Sequence, residues 1–120
     1  MLFRSRCAIT PWKTLGPGMR WARIDVPGDA QANAFLLRMG AGKELAAHTH
    51  RGRELTQVLH GSFDDGRAVW RAGDLDDTDD EVHHRPVVGR ESECICLVAM
   101  RGRVQFDGFV ARALGAWMGI

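Results

Sequence analysis

The chain has 120 residues, 45% of them hydrophobic, with 16 Lys and Arg against 15 Asp and Glu. That length and apolar share suit one domain with an ordinary core, and a net charge of +1 gives no basis for nucleic-acid or anionic-membrane binding. No apolar run approaches the roughly 20 residues needed to span a bilayer, and the N-terminus lacks the apolar core of a signal peptide.

Residues 1–10 carry no clear pattern and are expected to be loosely attached. Residues 12–18 are turn-rich, with Gly16, Pro17 and Gly18. Residues 20–26 alternate apolar and polar and predict a first strand. Pro27, Gly28 and Asp29 form a turn, and 33–39 make the next, more buried strand. Residues 54–60 predict a third strand, with β-branched Thr56 and Val58. Gly61 closes it, Phe63 begins the return, and Asp64, Asp65 and Gly66 signal a hairpin leading to 68–70.

After a turn at 72–74 comes an acidic stretch, 74–81, with six carboxylates. A solvated loop is expected there, since the carboxylates lack the spacing of a calcium loop. In the extended stretch 82–85, His83 and His84 point to opposite faces, and His83 is the outward one. Residues 94–100 are the most strand-like run, and 104–106 a short strand. The apolar end, 109–120, is expected to pack on the fold as a short helix or to offer a surface to a partner. Short strands with turns every eight to twelve residues define an all-β sandwich or barrel.

The segment 42–61 holds the chemistry. His48, His50 and Glu54 stand at even offsets, which in extended chain put side chains on one face, about 6.6 Å apart for i and i+2. Gly52 lets the backbone bend between the histidines and the glutamate. Two imidazoles and a carboxylate are a metal-site composition, and His84 is the candidate fourth ligand. His60 shares the parity of Glu54, but six residues of strand carry it about 20 Å away. Arg38 and Gln57 are candidates to reach the pocket, and Trp21 and Trp70 to line it. Cys94 and Cys96 share a strand face and are expected to be buried thiols; with Cys7 they make an odd count, which fits a reducing, cytoplasmic setting.

The spacing Gly42-x5-His48-x-His50-x3-Glu54-x6-Gly61 resembles the first cupin motif without a gap. Gly73 and His84 stand at the separation of the second, with Asp79, Glu81 and Val88 where Pro, Gly and Asn are usual. This resemblance implies a double-stranded β-helix, the cupin jelly roll, as one domain over 1–120.

A closer resemblance is to the C-terminal cupin domain of ChrR-type zinc anti-sigma factors. It is carried by Trp12, Leu15 to Gly18, Phe35 to Met39, His48 to Gly52, Glu54 to Thr56, Val58-Leu59, Gly61, Phe63, Asp65, Gly73-Asp74, His84 to Val87, Glu93 to Leu97 and Gly119-Ile120. The resemblance implies an ion, zinc in that family, held by His48, His50, Glu54 and His84. Fe(II), Mn or Ni are further candidates. It also implies a regulatory role in a sigma-factor setting, responding to an oxidant or small ligand, and a homodimer. The helical His-x3-Cys-x2-Cys domain that holds the sigma factor in those proteins is absent from these residues, so the sigma-binding step is not expected of this segment alone. Two other readings stand: a metal-dependent dioxygenase acting on diketones or thiols, with Glu54 as weak ligand or base, and a metabolite binder without chemistry.

Overall fold

The computed structural model describes residues 7–29, 31–45, 48–50, 53–79, 85–101 and 104–106, with the side chains of 48–50, 101 and 104–106 outside the description. The strands are β1 (Ala8–Ile9), β2 (Lys13–Gly16), β3 (Met19–Asp25), β4 (Ala32–Met39), β5 (His48–His50) and β6 (Glu54–His60), then β7 (Ser62–Asp64), β8 (Val69–Arg71), β9 (Leu75–Thr78), β10 (Val87–Val88), β11 (Cys94–Arg101) and β12 (Val104–Phe106). Among the described residues there is no helix, and so none long and apolar enough to cross a membrane.

The larger sheet runs β1-β3-β4-β11-β6-β9, with β2 sharing the β3 edge with β1. A second sheet runs β10-β7-β8, and β5 pairs with β12. The segment 43–45 extends the second sheet: Val88 N–H donates to the Lys43 carbonyl at 2.8 Å, and Leu45 N–H to that of Pro86 at 2.9 Å.

Alternation along antiparallel strands decides the interior. Phe35, Leu37 and Met39 of β4 face Val98, Cys96 and Cys94 of β11 in register. Trp21 opposes Leu37 from β3, and Val58 of β6 opposes Cys96. These side chains, with Leu45, Phe63 and Val88 from the second sheet, make the core.

Moving across the larger sheet toward β6 and β9, the interior turns polar. Thr56 opposes Val98, and Glu54 opposes Met100. On β9, Asp76 opposes Thr56, and Thr78 opposes Glu54.

Two expectations are corrected. The acidic stretch is not a loop throughout: 75–78 form β9, whose alternation buries Asp76 and Thr78 and exposes Leu75 and Asp77. Burial of Asp76 is compensated by Arg67, which donates to it at 2.8 Å, and exposed Asp77 pairs with Arg53. The turn-rich entry includes a strand, β2, because its residues pair with β3 before the chain reverses at Gly18, φ +70°. Of the N-terminal stretch, Ala8–Ile9 pair with Ile24 and Asp25.

Candidate metal centre

A cavity of about 30 Å³ lies between the two sheets. Its polar wall is Glu54, Thr56, Asp76 and Cys96, and Met39 and Phe63 are among its apolar lining. Glu54 is the first residue of β6 and is 5% exposed. A carboxylate so buried needs hydrogen bonds and compensating positive charge. One bond comes from the same strand face, where the Thr56 hydroxyl donates to Glu54 Oε1 at 2.9 Å.

Asp76 is 4% exposed, with its carboxylate on the same wall. Burial pushes its pKa above the ordinary range; Arg67 opposes the shift, and the negative charges of Asp65 and Glu54 add to it. Asp65 goes the other way. Burial pushes it up, but the backbone N–H groups of Arg67 and Ala68 and the side chains of Arg67 and Trp70 hold it below the ordinary value. The Arg67 guanidinium thus bridges a hairpin carboxylate and a cavity carboxylate, and it lies 5.7 Å from the centre of the Trp70 ring.

The first cupin motif is split by what the structure describes. His48 and His50 lie in β5, where they stand in register opposite Phe106 and Val104 of β12. Their side chains, and the whole of His83 and His84, lie outside the described residues. Among the described residues no group of three or more His, Cys, Asp or Glu is placed to hold a metal.

The flanking positions are described, and they converge. Leu45, three residues before His48, lines the cavity; so do Glu54 and Pro86, the latter two residues after His84. Gly73, the anchor of the second motif, has φ +92°, and its N–H donates to the Val58 carbonyl at 2.8 Å.

Other candidates fall away from the site. Arg38 projects to the outer face, where its Nε donates to Glu93 at 2.7 Å, and Gln57 is exposed, because both have the opposite strand parity to the cavity residues. Neither reaches the pocket. Trp21 is buried in the core and Trp70 lies beneath Arg67; neither lines the cavity. His60 is exposed at the far end of β6.

Cys94 and Cys96 are buried free thiols with their sulfurs 3.6 Å apart. The hydrogen bond shared with Cys94, burial and the charges of Cys94 and Glu54 hold the Cys96 thiol far above its ordinary range. Sequence reasoning missed Thr56, Asp76 and Arg67. For Asp76 the signal was present in the alternation of Leu75, Asp76, Asp77 and Thr78.

Two antiparallel sheets closing on a cavity lined by Leu45, Glu54 and Pro86 have the architecture of a cupin. The chain belongs to the ChrR cupin-like domain family, which it matches over residues 3–104. It is 41% identical over 101 residues to the anti-sigma-E factor ChrR of Cereibacter sphaeroides, an alignment covering 84% of this chain and 46% of that protein. The crystal structure of Rhodobacter sphaeroides SigE in complex with the anti-sigma ChrR superposes with a TM-score of 0.70 at 43% identity, over 76% of this chain and 49% of that one. The chain thus spans about half the length of these relatives. An acetylacetone dioxygenase from Acinetobacter johnsonii shares the fold, with a TM-score of 0.67 at 15% identity over 99% of this chain and 91% of that one.

Proposed function

We propose that this chain is a metal-binding regulatory cupin of the anti-sigma type. It holds one divalent ion, zinc by preference, through His48, His50, Glu54 and His84, and it responds to an oxidant or small ligand. One observation carries the reading: Leu45, Glu54 and Pro86, which bracket the three histidines in sequence, line one cavity, and Glu54 presents a buried carboxylate to it. The buried carboxylate of Glu54 on the cavity wall favours a cation there.

Four protein ligands satisfy tetrahedral zinc without an obligatory open position, so the ion would serve as a structural and signalling element. The Thr56 hydroxyl orients the Glu54 carboxylate, the supporting contact such ligands commonly have. An ion tied to β5, β6 and the segment before β10 would couple the two sheets. Its loss or altered ligation would loosen that coupling, and in a sigma-factor setting a partner can read such a change. The buried thiols Cys94 and Cys96 accord with a cytoplasmic location. A homodimer completes the reading; residues 109–120, expected to pack on the fold or to offer a surface, lie outside the described residues.

The test is elemental analysis of untagged protein, wild type beside Glu54→Gln and the His48→Ala/His50→Ala pair. About one zinc per chain in the wild type, lost in the variants, is expected. A metal-free wild type that takes up none of zinc, iron, manganese or nickel overturns the proposal. Bound iron with oxygen consumption on a diketone or thiol replaces the regulatory reading with the dioxygenase one.

A further inference from the structure

The larger sheet turns its second face away from the cavity, and one corner of that face is basic. Arg20 of β3 and Arg38 of β4 stand directly opposite each other in the antiparallel register. Like charges in that relation destabilise a sheet. Glu93 takes up part of the charge, through its ion pair with Arg38. Among the described residues Arg20 and Lys43 have no ion-pair partner.

Between the two arginines lies a cleft of about 270 Å³ lined by Gly18, Arg20, Arg38, Gly40 and Glu93. The Gly40 N–H donates to the Gly18 carbonyl at 2.8 Å, and these two glycines leave room for the Lys43 side chain. A Cβ on Gly18 would meet Lys43 Cε at 2.8 Å, and one on Gly40 would meet Lys43 Cγ at 3.5 Å. Two arginines and one carboxylate therefore line the cleft, and the Lys43 side chain packs against two of its glycines.

The neighbouring outer positions are apolar. Ile95 opposes Arg38, and the next row holds Ala22, Leu36 and Leu97. Leu36, Ile95 and Leu97 are half-buried.

The cleft is shallow: Arg20 is exposed, and the Arg38 and Glu93 side chains keep 41% and 35% of their surface. A small anion held there would stay mostly in water and be screened by salt. A polypeptide carrying both carboxylates and apolar side chains gains from the charges and from the row beside them. We infer that this outer face docks an acidic segment of a partner protein. Its carboxylates pair with Arg20, Arg38 and Lys43, and its apolar side chains lie on Leu36, Ile95 and Leu97. Planar guanidiniums suit carboxylates in paired geometry.

The experiment titrates the 120-residue chain into a short fluorescent peptide alternating Glu and Leu, read by anisotropy. Beside it stand the same peptide with Gln for Glu, the Arg20→Gln/Lys43→Gln double variant and Arg20→Lys. Binding of the Glu peptide, weakened about tenfold by the double variant and by a rise from about 20 to about 200 mM salt, is expected. Arg20→Lys keeps charge and should stay within about threefold of wild type. Equal binding of the Gln peptide, or a double variant that binds like wild type, overturns the inference. So does a double variant that sediments in a lower oligomeric state, which would assign this face to a second copy of the chain.

Discussion

Gly61→Ala tests whether the corner between β6 and β7 is fixed by backbone sterics. Gly61 has φ +75°, in the left-handed region. A Cβ there would enter the van der Waals shell of the Glu93 carbonyl oxygen and sit 3.0 Å from Cys94 Cα. Neither atom can yield readily, because β11 is paired along its length with β4 and along much of it with β6. The pairing with β6 shifts register between Ile95 and Cys96, so the corner is built from a bulge and a glycine together. The left-handed conformation costs about 1–2 kcal/mol for alanine. Displacing packed backbone adds about 1–3 kcal/mol. A total near 3 kcal/mol lowers the melting temperature by about 10–15 °C in a chain of this size. Gly66→Ala is the control: φ is +89°, but a Cβ meets nothing within 4 Å. It carries only the conformational cost, so a fall of about 4–8 °C is expected. Circular-dichroism melts of both variants decide. Equal melting temperatures would show that the approach of Glu93 to the corner is not what excludes a side chain.

The Arg67 bridge gives a pH-dependent pair. Asp65, held below its ordinary value, contributes stability present above the unfolded pKa of about 3.9 and lost as pH falls through the depressed folded value. Asp76, raised mainly by burial, contributes stability present below the unfolded pKa and lost as pH rises through its folded value. Between about pH 4 and pH 7, urea midpoints should therefore show Asp76→Asn gaining on wild type as pH rises, whereas Asp65→Asn should close its gap to wild type only as pH falls below about 4; curves parallel to wild type in those windows would refute the assignment. Thr56→Val removes the hydroxyl bonded to Glu54, so zinc affinity by competition with a chelator should drop about tenfold or more with little change in melting temperature. An unchanged affinity removes Thr56 from the site. Of the three cysteines, only exposed Cys7 should react rapidly with a thiol reagent in the native chain, and all three in guanidinium. Fast modification of two or more in the native state would show that the Cys94–Cys96 pair is not enclosed.

Much of the sheet was legible because its strands carry their own pattern. The predicted runs 20–26, 33–39, 54–60 and 94–100 correspond to β3, β4, β6 and β11, with the alternation clearest in the burial of 35–39, 54–58 and 94–100. What the pattern hid were positions where a polar residue faces inward. Asp76 looked like one more solvated carboxylate, because nothing local says that Arg67, nine residues earlier, will reach it. Arg38 looked like a pocket candidate, because its partner Glu93 lies 55 positions away. The motif placed Glu54 on the cavity, but the contacts that hold its carboxylate belong to the fold.

Those hidden positions explain why one wall of the cavity is polar. Along the row Phe35, Val98, Thr56 and Asp76, side chains change from ring to methyls to hydroxyl to carboxylate in four adjacent strands. A buried carboxylate at the end of such a row costs stability unless a cation meets it. Arg67 meets Asp76 from the hairpin side, where its guanidinium also holds Asp65. Glu54 sits one row further on, between Met100 and Thr78. The Thr56 hydroxyl gives it a proton and no charge. Asp76 is balanced from the protein's own hairpin; under the proposed function, Glu54 is the carboxylate that the metal ion would balance. Replacing Glu54 by Gln should accordingly raise stability in metal-free protein and lower it in zinc-saturated protein. Thermal melts with and without zinc would show this as a change of sign, and a Glu54→Gln effect of one sign in both states would remove the metal from the account.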